Sequence, residues 1–136
     1  LKYIFIDPGQ EKFGFAVYDE KKNLLVHGIG LLVEFEEKIA NIIKKEICEF
    51  KFILGDGTAH KKFLKKLKFY YPSADVDLLD EKNSTLEARK LYFEMNPPQG
   101  IRRFLPSGLL IPDVEYDDYT AMILAERFFA KKDLTK

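Results

Sequence analysis

Tyr3-Ile4-Phe5-Ile6-Asp7-Pro8-Gly9 reads as a buried strand that ends by presenting an acid, and Phe13-Gly14-Phe15-Ala16-Val17-Tyr18 follows it at once. A short continuous apolar run is the pattern of a strand covered on both faces, hence a central one. An ionised Asp at the end of such a strand must be wetted, hydrogen-bonded or bound to a cation. The Pro8-Gly9 turn keeps the backbone low and lets another group approach closely. Taken alone, Asp7 also fits a plain strand-ending turn residue. The rest of the chain has to decide between the two.

Working outward, Phe13–Tyr18 and Leu24–Leu32 read as two further strands joined by the short polar turn Asp19-Glu20-Lys21-Lys22-Asn23. Neither connection is long enough for a helical crossover, so the first three strands form an antiparallel meander. Glu34 to Phe50 reads as a helix, with Phe35, Ile39, Ile42, Ile43, Ile47 and Phe50 at three- and four-residue steps. Cys48 falls in it as a small core residue. Phe52-Ile53-Leu54 is a short buried strand ending in Gly55-Asp56-Gly57, and Ala59–Tyr70 a second amphipathic helix. Asp75–Leu79 is a fifth strand, ending in Asp80-Glu81.

Ser84-Thr85-Leu86-Glu87 has the form of a capping box opening a helix that runs to about Met95, before Pro97-Pro98. Gln99 to Glu115, with its Gly and Pro residues, reads as a long structured loop, a type that is usually functional or mobile. A last helix starts near Asp117, with Asp117, Ala121, Leu124, Ala125 and Phe128 on one face and Asp118 beside them. Acids in a first helical turn also complement the helix dipole, which is the ordinary reason for finding them there.

Strands separated by helices run parallel, so the predicted fold is α/β: a mixed five-stranded sheet, three antiparallel strands then two parallel ones, with helices on both faces. The carboxyl ends of the parallel strands share one edge, where open α/β sheets place their sites. That edge gathers Asp7, Asp56 and Asp80-Glu81, and the last helix, with Asp117 at the top of its buried stripe, can bring Asp117 to it. Converging carboxylates repel unless a cation sits between them. Oxygen ligands without His or Cys suit Mg²⁺ or Mn²⁺, and such sites often hold two ions and displace groups at phosphorus.

Composition sets the outer limits. The chain has 136 residues, 46% hydrophobic and 32% charged, with 12 Phe, 7 Tyr and no Trp, which predicts one domain over residues 1–136 with an aromatic core. A single Cys excludes an intrachain disulfide and a cysteine metal site, and points to a reducing cytoplasm. No apolar run reaches membrane-spanning length, and the start reads as a strand rather than a signal peptide; Leu1 in place of Met leads us to expect residues upstream. Zero net charge excludes a protein that grips nucleic acid by bulk field alone. Local basic points remain: Lys65 and Lys66 within Lys61–Lys68, and Arg102-Arg103 in the long loop. The lysine row is either a solvated helix face or a phosphate contact. His60 and His27 read as surface or capping residues rather than ligands, since no second His or Cys stands near either in the pattern.

Three motifs in register resemble a known family. Ile6-Asp7-Pro8-Gly9 with Phe13-Gly14-Phe15-Ala16-Val17 is similar to the opening motif of the YqgF/RuvX family, relatives of the RuvC Holliday-junction resolvases. Asp80-Glu81-Lys82-Asn83-Ser84-Thr85 resembles its acidic motif, Asp-Glu-Arg-x-Ser/Thr-Thr. Asp117-Asp118-Tyr119-Thr120-Ala121-Met122-Ile123-Leu124 is similar to its last helix. The stretch Ala88–Phe93, Asn96-Pro97-Pro98 and Arg102-Arg103 resembles a divergent branch.

The resemblance implies an RNase H-like fold and metal-dependent phosphodiester hydrolysis, in bacterial members maturation of the 5′ end of the 16S rRNA precursor. By motif, Asp7, Glu81 and Asp117 would hold the metal, with Asp80 supporting them and Asp118 the rival for the third place. Lys65, Lys66, Arg102 and Arg103 would contact phosphates. The partner would be precursor rRNA or branched DNA, with the protein a monomer or homodimer. Lys82 replaces the family's Arg, Glu11 stands in a usually basic loop, and the segment after the fourth strand is short; these departures bear on substrate more than on metal. Two alternatives stand beside an rRNA nuclease: a Holliday-junction resolvase, and a catalytically idle member that binds nucleic acid or protein. The Asp-x-Gly signal also opens sugar kinases and actin-like ATPases, but this chain is too short for their second lobe.

Overall fold

Alternation along the first strand organises the molecule. In the computed structural model, β1 (Lys2–Pro8) sends Ile4 and Ile6 to one face of the sheet and Tyr3, Phe5 and Asp7 to the other. Both sets are buried up to the strand's end, as a central strand requires. The structure describes residues 1–44, 49–57, 59–82, 84–100, 104 and 117–134.

β1 pairs antiparallel with β2 (Lys12–Asp19), which pairs antiparallel with β3 (Leu24–Leu31). The hairpin turn is held by Asp19, whose carboxylate accepts from the Lys21 and Asn23 backbone N–H groups and the Asn23 amide; Lys22 takes the left-handed conformation at φ 68°. On its other side β1 runs parallel to β4 (Phe50–Gly55), and β4 parallel to β5 (Asp75–Leu79). The sheet order is β3-β2-β1-β4-β5, the predicted three antiparallel and two parallel strands.

Helices α1 (Phe35–Lys44) and α2 (His60–Tyr70) cover one face, their Phe35, Ile39, Phe63 and Leu67 packing on Ile4, Ile6, Phe13 and Leu54. Phe13, Phe35 and Phe63 form a three-ring cluster with centroids 5.1–5.9 Å apart at steep angles, the geometry aromatic quadrupoles favour. The other face carries α4 (Asp117–Leu134), flanked by α3 (Ser84–Met95). Here Tyr3 and Phe5 meet Phe128 and Phe129.

Close approach of α4 depends on small residues beneath it. Gly14, paired with Asp7, and Ala16, paired with Phe5, lie on the α4 face of β2. A methyl group at Gly14 would overlap the backbone carbonyl of Asp117. Gly14→Ala is therefore expected to cost at least the ~1–3 kcal/mol typical of overpacking, read as a lower midpoint in urea.

Three expectations need correction. The helix expected over Glu34–Phe50 is a 3₁₀ turn (Leu32–Glu34) followed by α1 ending at Lys44, while residues 45–48, Cys48 and Ile47 among them, lie outside the described residues. Phe50 opens β4 opposite Lys2: a parallel ladder beside β1 outweighs the helical spacing of its side chain. Ser84 is the first helical residue rather than the cap, and Glu87 reaches Arg127 instead of the helix start. The loop expected over Gln99–Glu115, including Arg102 and Arg103, lies outside the described residues apart from positions 99, 100 and 104.

Candidate functional site: a buried carboxylate cluster

The parallel strands β1, β4 and β5 end together, and so do their acids. Asp7 is the last α4-facing residue of β1 before Pro8, in register with Gly14. Because Gly14 has no side chain, the first turn of α4 settles on it and brings Asp117 beside Asp7. Glu81 follows β5 and folds back over β4: a methyl group at either Gly55 or Gly57 would overlap its carboxylate. Those two glycines, which the sequence shows only as the end of the fourth strand, make the room for Glu81.

The cluster is electrostatically strained. Asp7 is raised from its ordinary 3.8 to about 9, first by burial, then by a hydrogen bond with Glu81, by the charge of Glu81 and by that of Asp117. Glu81 is also raised, chiefly by burial and secondarily by the nearby charge of Asp56; the Asp7 bond and the Gly57 N–H pull the other way. A bond between two carboxyls exists only while one of them holds a proton. With both ionised, Glu81 Oε1 is buried with no donor in reach among the described residues. A buried acceptor in that position calls for a proton or a cation.

Arg127 of α4 holds the Glu81 turn in place. Its guanidinium donates to the carbonyls on either side of Glu81, Asp80 O at 2.9 Å and Lys82 O at 2.6 Å, and pairs with Glu87 at 3.1 Å. The Asp56 carboxylate accepts from Glu81 N at 3.1 Å, and Asp80 accepts from Lys82 N at 2.9 Å. Asp80 thus shapes the turn, and its side chain is exposed. Arg127 was not singled out in the sequence because its partners are backbone carbonyls far along the chain. Arg127→Gln should weaken divalent-cation binding by ~10–100-fold, as loss of an outer partner of a metal ligand does, with the far-UV circular dichroism unchanged; calorimetry reads the affinity.

The two acids of α4 divide. Asp117 faces Asp7, whereas Asp118 turns to the edge of the sheet, where its Oδ2 lies 2.6 Å from Nδ1 of His27. Asp118 is 8% exposed and its Oδ1 also accepts from Tyr119 N. His27, expected as a surface or capping residue, is exposed, and it also ties β3 to the first turn of α4. Periodicity carries no sign of such a pair, which forms across residues far apart in sequence. His60 opens α2 and places Nδ1 2.8 Å from Gly57 O, close enough for its charge to act on Glu81.

Lys65 and Lys66 lie in the middle of α2, beyond its site-facing first turn, with Lys65 exposed and Lys66 half-buried. Beside Asp7 and Asp117 there is a cavity of ≈300 Å³, bounded also by Gly9, Gln10, Glu11 and Lys12. A larger cavity of ≈990 Å³ lies over the α4 side of β4 and β5, but two of its three acids, Asp75 and Asp77, are already paired with Lys51. It lacks the converging carboxylates of Asp7 and Asp117 that mark the smaller one.

Three all-oxygen side chains, one with an orphaned buried atom, fit a hard divalent cation. Among the described residues no three His, Cys, Asp or Glu side chains already close on one point.

No protein-family model and no curated protein matches the chain. Among solved structures, the Fowlpox virus resolvase in complex with Holliday junction DNA covers 96% of this chain and 98% of its own, with a TM-score of 0.57 and 11% identity. The chain has an RNase H-like fold. An exopolyphosphatase from Cytophaga hutchinsonii matches more loosely, with a TM-score of 0.39 and 13% identity over 67% of this chain and 36% of its own. At such identities the likeness extends to the fold alone.

Proposed function

We propose that residues 1–136 form a metal-dependent endonuclease domain acting on structured nucleic acid, with Asp7, Glu81 and Asp117 holding Mg²⁺ or Mn²⁺, two ions in the full site. The observation that carries this reading is the cluster itself: Asp7 lifted to about 9 by burial and two neighbouring acids, at the carboxyl ends of parallel strands. Perturbed carboxyls gathered at such an edge mark a functional site more often than a structural one. Divalent cations bound there would lower the pKa of water and neutralise charge on a phosphodiester. The chain's own groups have separate tasks. Glu81 and Asp117 fix the place of the positive charge, and Asp7 stands between them. Arg127 and Asp56 keep the Glu81 turn rigid, and the His27–Asp118 pair anchors the helix that carries Asp117. The low Pro8-Gly9 backbone leaves the ≈300 Å³ cavity open to a phosphate.

Motif resemblance to the YqgF/RuvX family favours the 5′ end of the 16S rRNA precursor as substrate. Likeness in fold to a junction resolvase over nearly the whole chain favours a four-way DNA junction as the second reading. Lys65, Lys66, Arg102 and Arg103 are the proposed phosphate contacts. No helix among the described residues is long and apolar enough to cross a membrane, in keeping with a nucleic-acid partner. Both substrates should be offered side by side with Mg²⁺, with Mn²⁺ and with chelator. We expect cation-dependent cleavage of the precursor leader; cleavage of the junction instead selects the second reading. Binding of both without cleavage of either overturns the nuclease assignment in favour of an idle member of the fold.

A further inference from the structure

The lysine row of α2 has a direction. The helix starts at the carboxylate edge, where the His60 backbone N–H and ring Nδ1 both meet the carbonyl of Gly57, beside Glu81. It ends toward the opposite edge of the sheet, where Tyr71 packs on Phe52 near the start of β4. Between the two, Lys61, Lys62, Lys65 and Lys68 are exposed, and steps of one and three residues keep them on one side. Phe69 ends the row on that same side, 77% exposed. The helix holds no acid, and among the described residues none of these four lysines takes part in an ion pair.

A solvated helix face accounts for the lysines but not for a phenylalanine set at their end. The Phe69 ring stands 5.1 Å from that of Tyr70 at 87°, and the Tyr70 hydroxyl lies against the Glu36 carboxylate of α1. Tyr70 is thus steadied from behind and supports Phe69 edge-to-face. Ammonium groups for phosphates, followed by a flat apolar ring for a base, are what an unpaired nucleic-acid strand requires. At 1.5 Å per residue Lys61 and Phe69 stand about 12 Å apart along the helix axis, the length of about three to four nucleotides at 3.4 Å each. A lipid surface fits less well. It takes a helix by its apolar face, and that of α2, with Phe63 and Leu67, is spent on the core.

We propose that this face of α2 is a track for a single-stranded arm of the nucleic acid, leading away from the carboxylate cluster, with Phe69 stacking on an unpaired base. The substrate class narrows accordingly, to a structured nucleic acid with an unpaired arm beside the phosphate that enters the cluster. Zero net charge is then no obstacle, since a local row holds the strand rather than the field of the whole protein. The inference rests on the nucleic-acid partner proposed above, but on none of the chemistry assigned to the cluster.

Fluorescence anisotropy in chelator, where cation-dependent cleavage is silent, tests it. A labelled duplex with a single-stranded arm should bind more tightly than the same duplex with blunt ends. Phe69→Ala, at an exposed position, should weaken binding of the armed duplex roughly 5–150-fold, the loss of one base stack, with unchanged circular dichroism. Phe69→Trp should restore it. Lys62→Gln with Lys65→Gln and Lys68→Gln should lower the slope of log affinity against log salt by about 2, at ~0.7 per single-strand phosphate contact; Phe69→Ala should leave that slope unchanged. Equal affinity for armed and blunt duplexes, or armed binding that Phe69→Ala leaves intact, overturns the proposal. So does Phe69-dependent pelleting with vesicles of anionic phospholipid by a protein that shows no preference for the arm, since the face then serves a membrane. Arm-dependent binding through Phe69 with no cleavage in Mg²⁺ upholds the track and sinks the nuclease reading instead.

Discussion

Asp7→Asn is expected to abolish cation-dependent cleavage while making the cation-free protein more stable. Both effects come from one cause. The wild-type side chain is held at the end of β1, where burial, Glu81 and Asp117 all oppose its charge. Asparagine keeps the shape, removes the ionisable group and offers Glu81 Oε1, which has no donor among the described residues, an amide N–H. At pH 8 the folded chain must hold on Asp7 a proton that the unfolded chain has lost, and sparing that uptake should be worth about 1 kcal/mol or more, a rise of roughly 4 °C in the midpoint for a chain of this size. Loss of an outer partner of a metal ligand costs ~10–100-fold, so loss of the ligand itself should exceed ~100-fold in cleavage. Thermal melts in chelator and single-turnover assays read the two effects separately. A variant that cleaves as well as wild type, or that melts lower, contradicts the assignment of Asp7.

The second large effect is a pH dependence that a cation should erase. Asp7 binds its proton more tightly in the folded chain, at about 9, than at its ordinary 3.8. Within that window the folded state carries a proton that the unfolded state lacks, so stability falls as pH rises. Below the window the unfolded chain is protonated as well and the slope vanishes; above it the folded state has lost the proton and no further decline follows. Glu81, also raised, shares the proton, so the titration belongs to the cluster as a unit. Cation-free protein should therefore melt progressively lower from about pH 5 to 9. Millimolar Mg²⁺ or Mn²⁺ should flatten that dependence, and a cation at 100 times its dissociation constant should add about 2.7 kcal/mol of stability. The same slope with and without cation would show that the cluster holds no metal.

Much of this was legible in the sequence, for physical reasons that differ by element. β1 could be read because two-sided burial leaves a continuous apolar run, and the short link to β2 forces an antiparallel turn. The order of the remaining strands follows from where helices intervene. Helical spacing misled at Phe50, whose side chain is buried equally well by a strand beside β1. At the site, strand ends pointed to Asp7, Asp56 and Asp80-Glu81 and the start of the last helix to Asp117, and the motif resemblance narrowed these to Asp7, Glu81 and Asp117. Their supports could not be named this way. Gly55 and Gly57 act by what they lack, Arg127 by reaching backbone carbonyls, and His27 by meeting Asp118 across 91 residues of chain. Such contacts exist only once the sheet has brought the partners together.

The central claim is that these carboxylates form a cation site whose proton a metal displaces. Calorimetric titration of Mn²⁺ at pH 7, repeated in buffers of different ionisation enthalpy, tests it most directly. Binding should release close to one proton per chain, since Asp7 must ionise to serve as a ligand, and Asp7→Asn should lose both the binding and the buffer dependence. An absence of heat at millimolar Mn²⁺, or binding that Asp7→Asn leaves unchanged, would contradict the account.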